Sequence, residues 1–504
     1  MGFLRKALDE SLLQPIRAMR RRYLPLLMIY FAAGASGLSG IAESFWVKEE
    51  LGLTAEGLVA LGVWLTVPWT VKMVFGQLVD GVPILGSRRR AYVFLGAGLM
   101  ASGQLMLAGA AGKWITFARP EVLYIMASVL AVLGTVIQDV VADAMSTEVV
   151  DRTDEHGAPR PADDVKADLG MVQVLGRLAI MFGAFATAYL GGRLAGAFSR
   201  ETVFLISLVI PVISVTGSLL VRADVAEESE VDWRILGGGL VFGVFTVAMG
   251  LSQAPYGQEI VFLVSMVVVC ALLWITVAEL GHATKLSILY AAIVIFVFRA
   301  MPSVGPGGQW WQIDKLGFDE EFFGVLGQIG TGLAITGIWF GSGFVTRRPV
   351  TWVLAFLTIV GTLLSLPTIG LFYGLADWTQ QHFGFGARTI AVIDTSVASP
   401  FNQLSMIPML TLIAIHAPAG KRATWFALMA SLMNLALTAA GLVTKLLNEV
   451  FVVQRGSYGE LGPLMITVTA IGLLVPLGTI LLVGRRIRAA DSARAASMPA
   501  ASSA

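Results

Sequence analysis

Apolar runs of about twenty residues recur along the chain, separated by charged residues or by clusters of glycine and proline. Because a membrane-spanning helix needs roughly 20 apolar residues, each run predicts one span. Fourteen runs fit this description, at about 25–46, 57–79, 90–111, 121–145, 169–191, 202–221, 235–253, 259–279, 286–302, 321–345, 350–373, 386–414, 424–447 and 462–484. Their grouping predicts an all-α polytopic membrane protein of two six-helix bundles with two additional central helices. Twelve spans also fit, because omitting the middle pair leaves the inside–outside orientation of all later spans unchanged.

The same pattern divides the chain into five segments. We expect a basic interfacial segment at 1–24, an N-terminal six-helix bundle at 25–221, a central pair of helices with linkers at 222–285, a C-terminal six-helix bundle at 286–484 and a cytoplasmic tail at 485–504. Leu51-Gly52-Leu53-Thr54 precedes the second span, and Leu316-Gly317-Phe318-Asp319 precedes the tenth. Repeated halves are typical of transporters, so this faint repeat favours that class.

Composition excludes most other classes of protein. The 504 residues are 56% hydrophobic and 14% charged, whereas soluble chains are about 45–50% apolar and about 25% charged. A soluble enzyme and a disordered chain are therefore excluded. The net charge of +1 gives no reason to expect a nucleic-acid partner, and one cysteine forms neither a disulfide nor a thiolate metal site alone. We expect no metal and no cofactor.

Basic residues indicate the orientation. With the N-terminus inside, most lysines and arginines fall in inside loops and in the two tails. This bias predicts cytoplasmic termini and an even number of spans. We find no cleavable signal peptide, transit segment or Asn-x-Ser/Thr site, and expect a multi-pass protein of a bacterial inner membrane.

Charged residues inside or beside the spans are the main functional evidence, because a charge at membrane depth is costly and usually faces a cavity or a partner. They are Glu43, Lys72, Asp139, Asp143, Arg177, Arg299, Arg388 and Asp394. Asp139 and Asp143 are four residues apart and share one helical face. They either form static ion pairs with Lys72 and Arg177 or act as a proton or cation switch, and we favour the switch. Glu43 and Arg299 can instead reach an interface.

The run at 386–414 is long and is interrupted by polar residues and two prolines. Prolines free backbone carbonyls, which protein groups or cavity water must then satisfy. Discontinuous polar helices often line substrate sites. We therefore expect Asn402 and Gln403 to contribute to translocation, the alternative being an amphipathic span packed against its neighbours.

The loop from Gly76 to Arg90 is the sharpest motif. Its expected role is a conformational latch, in which Asp80 pairs with an arginine and the glycines permit tight turns. The latch residues are Gly76, Asp80, Gly86, Arg88 and Arg89. Positive-inside charge alone would explain the arginines but not the spaced glycines and Asp80. No Walker loop, nucleophile elbow or HExxH motif is present, so neither an enzyme nor ATP-driven transport is expected.

Several motifs occur in a fixed order along the chain. They are Pro68-Trp69-Thr70-Val71-Lys72, the loop with Gly76, Asp80, Pro83, Gly86 and Arg88-Arg89-Arg90-Ala91-Tyr92, Asp139-Val140-Val141-Ala142-Asp143-Ala144, Arg299-Ala300-Met301-Pro302, Leu316-Gly317-Phe318, Pro418-Ala419-Gly420, Phe426-Ala427-Leu428 and Asn434. Together they resemble the folate–biopterin transporter family of the major facilitator superfamily. The resemblance covers roughly 25–450. It implies a major-facilitator-like fold, alternating access, and secondary transport of folates or pterins coupled to protons or to exchange. Carried over by position, it implies roles for Lys72, Asp80, Asp139, Asp143 and Arg299.

Two departures keep the substrate open. Lys421-Arg422 stand where the family often has an acid, and the middle pair of spans is unusual for a twelve-helix member. Bacterial muropeptide permeases are also similar around the fourth-span aspartates. The alternatives are therefore a muropeptide-permease-like transporter of another anionic solute and a non-transporting membrane assembly scaffold.

A folate would be recognised by charge and by stacking. Arg177, Arg299 or Arg388 would pair with its carboxylates. Trp69, Trp310 or Trp311 would stack on the pterin ring, although Trp310 and Trp311 also fit an interfacial aromatic belt.

Overall fold

The computed structural model describes residues 19–497 except 85, 88, 152, 155, 157, 221–232, 253, 279–280, 347–348, 403, 406–408, 410–412 and 414–421. The described chain is almost entirely helical, as the sequence predicts. Its helices are α1 (Leu24–Ala35), α2 (Gly40–Glu50), α3 (Ala55–Thr70), α4 (Lys72–Gly81), α5 (Arg90–Ala111), α6 (Pro120–Glu148), α7 (Ala162–Ala197), α8 (Arg200–Ile206), α9 (Val209–Leu219), α10 (Trp233–Leu251), α11 (Gly257–Thr276), α12 (His282–Arg299), α13 (Pro306–Leu316), α14 (Glu320–Thr346), α15 (Val350–Phe372), α16 (Leu375–Phe383), α17 (Ala387–Asn402), α18 (Arg422–Val450) and α19 (Leu461–Ser497).

Among the described residues, nine helical stretches are long and apolar enough to cross a membrane. They are Arg21–Glu50, Arg90–Ala111, Pro120–Ser146, Val174–Ala197, Arg200–Leu219, Gly257–Ile275, Val350–Phe372, Leu428–Val450 and Leu461–Gly484, with Leu236–Gly250 as a shorter apolar helix. Each of the nine overlaps one of the predicted runs. The all-α membrane architecture is thereby confirmed, whereas the total of fourteen spans stays a prediction.

Internal contacts group the chain into two compact units. The first comprises the described parts of Met1–Gly52, Lys72–Val241 and Glu320–Gln328. The second comprises those of Leu53–Val71, Phe242–Asp319 and Ile329–Ala504. The start of α14 therefore belongs with the first unit and the whole of α3 with the second. The five segments predicted from the sequence are consecutive stretches of chain, which this grouping does not test, so they stay a prediction.

Small residues bring helices of the first unit close together. Gly96 of α5 faces Gly134 of α6, and a methyl group at Gly96 would come within 2.8 Å of the Gly134 carbonyl oxygen. Such contacts let helix backbones approach where lipid offers no hydrophobic driving force for association. The α5–α6 pair therefore depends on glycine at both positions.

The second predicted span is broken in its middle. Pro68 lacks a backbone N–H and obstructs the preceding turn, so it weakens the helix around it. Helix α3 ends at Thr70, Val71 is not helical (φ −106°, ψ 22°), and α4 starts at Lys72. The passage of the chain from the second compact unit to the first falls at this same break.

The two tetrapeptides of the predicted repeat occupy equivalent places in the fold. Thr54 ends the first and directly precedes α3, where its hydroxyl accepts a hydrogen bond from the Gly57 N–H at 3.0 Å. Asp319 ends the second and directly precedes α14. A boundary between the two compact units falls within the first motif, between Gly52 and Leu53, and directly after the second, between Asp319 and Glu320.

Candidate translocation site

Three charged side chains of the first unit meet where α4 begins. The Lys72 ammonium forms ion pairs with the carboxylates of Asp139 and Asp143, and the distance to Asp143 Oδ2 is 2.6 Å. The helix break at Val71 places Lys72 at the first position of α4, while the spacing of four residues puts both aspartates on one face of α6. The structure therefore brings together three of the residues singled out from the sequence.

Exposure differs sharply between the two carboxylates. The Asp139 side chain is 24% exposed and the Asp143 side chain 53%, with Lys72 at 29%. Asp143 is thus accessible while Asp139 is largely enclosed. Lys72, Asp139 and Asp143 together carry a net charge of −1 when all three groups are ionised.

Tyr30 completes this cluster. The Tyr30 hydroxyl donates a hydrogen bond to Asp143 Oδ1 at 3.3 Å. Arg177 is an exposed residue of α7, and its role in translocation stays a prediction. Sequence reasoning missed Tyr30, because a single tyrosine in an apolar run carries no signal until its partner is known.

Glu43 lies in α2, at a different place in the same unit. Its carboxyl lies close to the Tyr124 hydroxyl of α6. Glu43 therefore has a neutral neighbour inside the unit.

In the second unit, Asp394 of α17 accepts a hydrogen bond from the Thr368 hydroxyl at 3.0 Å. Arg299 is the last residue of α12. Asn402 ends α17, but its side chain lies outside the described part of the structure. All of Gln403 lies outside it. Whether these residues share a substrate site stays a prediction.

Arg388 has a local partner. Its guanidinium lies 2.5 Å from the Asp319 carboxylate and donates to the Gly317 carbonyl oxygen at 2.8 Å. These contacts tie the start of α17 to the turn that precedes α14. A substrate carboxylate would have to compete with Asp319 for this guanidinium.

Trp310 and Trp311 are packed inside the second unit, with 2% and 4% of their surfaces exposed. The Arg455 guanidinium lies 4.2 Å from the centre of the Trp310 ring, and Trp311 packs on Phe372 with ring centres 5.5 Å apart. Neither ring is free to stack on a substrate or to face an interface. The sequence cannot separate these possibilities, because all of them use an aromatic beside an apolar run.

The predicted latch loop contains a tight turn and a buried arginine. Gly86 adopts φ +78°, a conformation that favours glycine, and Ile84 and Ser87 exchange two backbone hydrogen bonds of 2.9 Å across it. Arg89, at 8% exposure, holds Glu148 at 2.6 Å and donates to the Val79 carbonyl oxygen at 3.3 Å.

Glu148 is the second functional residue that sequence reasoning missed. It ends α6, and the sequence does not distinguish it from the acidic residues Asp151, Asp154 and Glu155 that follow. Its position within one turn of a span end, opposite an arginine cluster, is the signal that would have found it. The side chain of Asp80 and all of Arg88 lie outside the described part, so their latch role stays a prediction, as does that of Gly76.

Among the described residues, no group of three or more His, Cys, Asp or Glu side chains lies together in a way that would hold a metal ion. The charged cluster instead joins a cation to carboxylates. Such a cluster can exchange partners, and it can bind or release a proton.

Solved structures of similar shape define the fold. A POT family transporter in complex with a thioalcohol conjugated peptide matches with a TM-score of 0.64 and 13% identity, over 94% of this chain and 100% of that one. A peptide transporter POT mutant in complex with alafosfalin matches with a TM-score of 0.62 and 16% identity, over 92% and 95%. The fold is therefore that of a major-facilitator-type membrane protein.

The chain belongs to the BT1 family, whose model matches residues 33–501. It is 28% identical over 455 residues to the folate-biopterin transporter of Synechocystis sp., covering 90% of this chain and 80% of that protein. It is 22% identical over 469 residues to the probable folate-biopterin transporter 4 of Arabidopsis thaliana, covering 86% and 89%. The resemblance drawn from the sequence motifs is confirmed, and the protein is a multi-pass membrane transporter rather than an enzyme.

Proposed function

We propose that this protein moves folate- or pterin-like organic anions across the cell membrane by alternating access, coupled to protons or to exchange. The observation that carries the proposal is Lys72, whose ammonium is shared by Asp139 and Asp143 in the first unit. The names of two relatives, both folate-biopterin transporters, support the substrate class. A bacterial inner membrane with both termini in the cytoplasm belongs to the same proposal and rests on the bias of basic residues.

The charge of the cluster supplies a means of coupling. Binding one proton brings its net charge from −1 to zero, and a neutral site is the cheaper one to enclose at membrane depth. The 53% exposure of Asp143 gives that carboxylate access to a proton while Asp139 keeps Lys72 in place.

An anionic substrate would act through the same lysine. A substrate carboxylate that pairs with Lys72 draws the ammonium away from the aspartates, and two uncompensated carboxylates then favour binding of a proton. Arg177 would offer a second cation to the substrate. Substrate and proton would therefore bind together.

Uptake of radiolabelled folate into proteoliposomes tests the proposal, measured with and without an inward proton gradient. We expect uptake by the wild type to increase with the gradient. In Asp143→Asn the gradient should have no effect, because the site no longer gains a charge-neutralising proton. Asp164→Asn, in an exposed position of α7, is the matched control and should behave as the wild type.

Each result bears on a different part of the proposal. Gradient-independent uptake that is accelerated by folate inside the vesicles would support exchange instead of proton coupling. Absence of folate and pterin uptake by protein that remains monodisperse would refute the substrate class. A stable partner complex together with absence of any flux would favour an assembly scaffold.

A further inference from the structure

A lateral groove in the second unit has no role in the proposed transport mechanism. It lies between α11 and α12, has a volume of about 400 Å³ and extends to α18. Its walls include Met266, Cys270, Leu273, Leu289, Phe296 and Met429. The volume lies within the range of about 300–1,000 Å³ that is usual for sites holding a small organic molecule.

The groove opens away from the packed interior. Leu289 is half exposed, Trp274 is 65% exposed, and Cys270 is exposed as well. Because α11 contains a candidate membrane span, exposed apolar side chains on it face lipid chains rather than water. The groove is therefore expected to be in contact with the hydrocarbon chains of lipids.

One end of the groove is cationic. The Lys285 ammonium lies 5.7 Å from the centre of the Trp274 ring and donates to the Ala278 carbonyl oxygen at 2.7 Å. An ammonium has three hydrogens, so it can donate further bonds to a phosphate while it keeps Ala278. His282, a second nitrogen-bearing side chain, lines the same end.

From this geometry we propose that the groove binds an anionic phospholipid, with an acyl chain along α11 and α12 and the phosphate at Lys285. Positive charge at one end and apolar walls along the rest match a lipid anion, which carries its charge at one end only. A folate is less suited, because its ring nitrogens and amide groups would lie against walls that offer them no hydrogen bonds. The proposal is independent of the transported substrate.

Cys270 provides a direct measurement, since it is the single cysteine of the chain and lines the groove. The full-length protein, purified in detergent, is labelled with a limiting amount of fluorescent maleimide. The initial rate is measured with added phosphatidylglycerol or with phosphatidylcholine. We expect phosphatidylglycerol to slow the labelling, and phosphatidylcholine to do so about fivefold less effectively, the difference that one lysine near anionic lipid typically makes.

Lys285→Gln should abolish the difference between the two lipids. The matched control is Lys315→Gln, an exposed lysine at the end of α13 outside the groove, which should retain it. Native mass spectrometry supplies a second readout that does not depend on thiol chemistry. There, the wild type should retain more phosphatidylglycerol than Lys285→Gln does.

Three results would overturn the proposal. Equal protection by both lipids would mean that the groove takes hydrocarbon without selecting charge. Protection by folate but not by lipid would assign the groove to substrate. Protection that rises with protein concentration in the absence of added lipid would assign it to contact between copies of the chain.

Discussion

The side-chain amide of Asn434 donates a hydrogen bond to the carbonyl oxygen of Trp69 at 3.1 Å. Trp69 lies in the last turn of α3, immediately before the break at Val71, where an intrahelical donor is missing. Asn434 comes from α18, so a distant part of the chain satisfies the backbone at this break. The broken helix is thus stabilised by a specific partner, which removes the cost of an unsatisfied carbonyl in the membrane.

We therefore expect Asn434→Ala to destabilise the protein by about 0.5–1.5 kcal/mol, the usual net contribution of one hydrogen bond, because this bond is only partly buried. The melting temperature in detergent should fall accordingly. Thr467→Ala is the control, because the Thr467 hydroxyl donates to the Pro463 carbonyl oxygen of its own helix at 2.9 Å. Equal melting temperatures for Asn434→Ala and the control would refute the role assigned to this hydrogen bond.

The ion-pair cluster predicts strong non-additivity. Lys72→Gln alone leaves Asp139 and Asp143 without the ammonium that they share, and we expect a loss of about 1–2 kcal/mol, discounted for their partial exposure. Lys72→Gln combined with Asp139→Asn restores a single charge at the site and should recover part of that loss. A double-mutant cycle on melting temperature measures this coupling. Additive effects would show that the three groups do not share one electrostatic site.

Arg89 should be the most sensitive of the predicted latch residues. Its buried guanidinium contacts Glu148 at 2.6 Å, and the Glu148 side chain is 36% exposed. Arg89→Ala is therefore expected to cost about 1–2 kcal/mol, discounted for that exposure. Lys113→Ala, at a side chain that is 77% exposed, should change stability by less than about 0.5 kcal/mol. Chemical denaturation of both variants in detergent checks this, and similar losses would contradict it.

Alkaline pH should act through Tyr458, in the loop between α18 and α19. Burial and a hydrogen bond to the Asp314 carboxylate raise the pKa of Tyr458 to about 12. Because the unfolded phenol titrates near 10, the native state retains this proton longer. The stabilisation is complete below about pH 10 and is lost as the pH rises through about 12.

Tyr458→Phe should therefore show a shallower fall in melting temperature between pH 10 and pH 12 than the wild type. The comparison between the two proteins cancels the titration of lysines elsewhere. Parallel curves would show that the Tyr458 proton is not linked to folding.

The architecture was more accessible from the sequence than the site was. Apolar run length is a local property, so each of the nine helical stretches overlaps a predicted span. Asp139 and Asp143 could be placed on one face because four-residue spacing is also local. Lys72 could be named as a possible partner because it is a charged residue inside a predicted span.

Contacts between residues far apart in the sequence could not be predicted from local run length or spacing. Tyr30 acquires meaning only through Asp143, and nothing in its own neighbourhood marks it. Glu148 is marked only by its position near a span end, and its partner Arg89 lies 59 residues away in the sequence. Trp310 illustrates the converse, since a buried tryptophan and an interfacial one have the same flanking pattern. The break at Val71 was not predicted, because a proline such as Pro68 weakens a helix without fixing the residue at which it ends.

The broken helix also constrains how the protein is made. Asn434 follows Trp69 by 365 residues, so at about 5–20 residues per second the ribosome adds the amide donor roughly 20–70 s after the carbonyl that it satisfies. During that interval α3 has neither Asn434 nor the rest of α18 to pack against. Until the chain is almost complete, the Trp69 carbonyl must therefore be hydrogen-bonded by water, by the insertion machinery or by a transient neighbour.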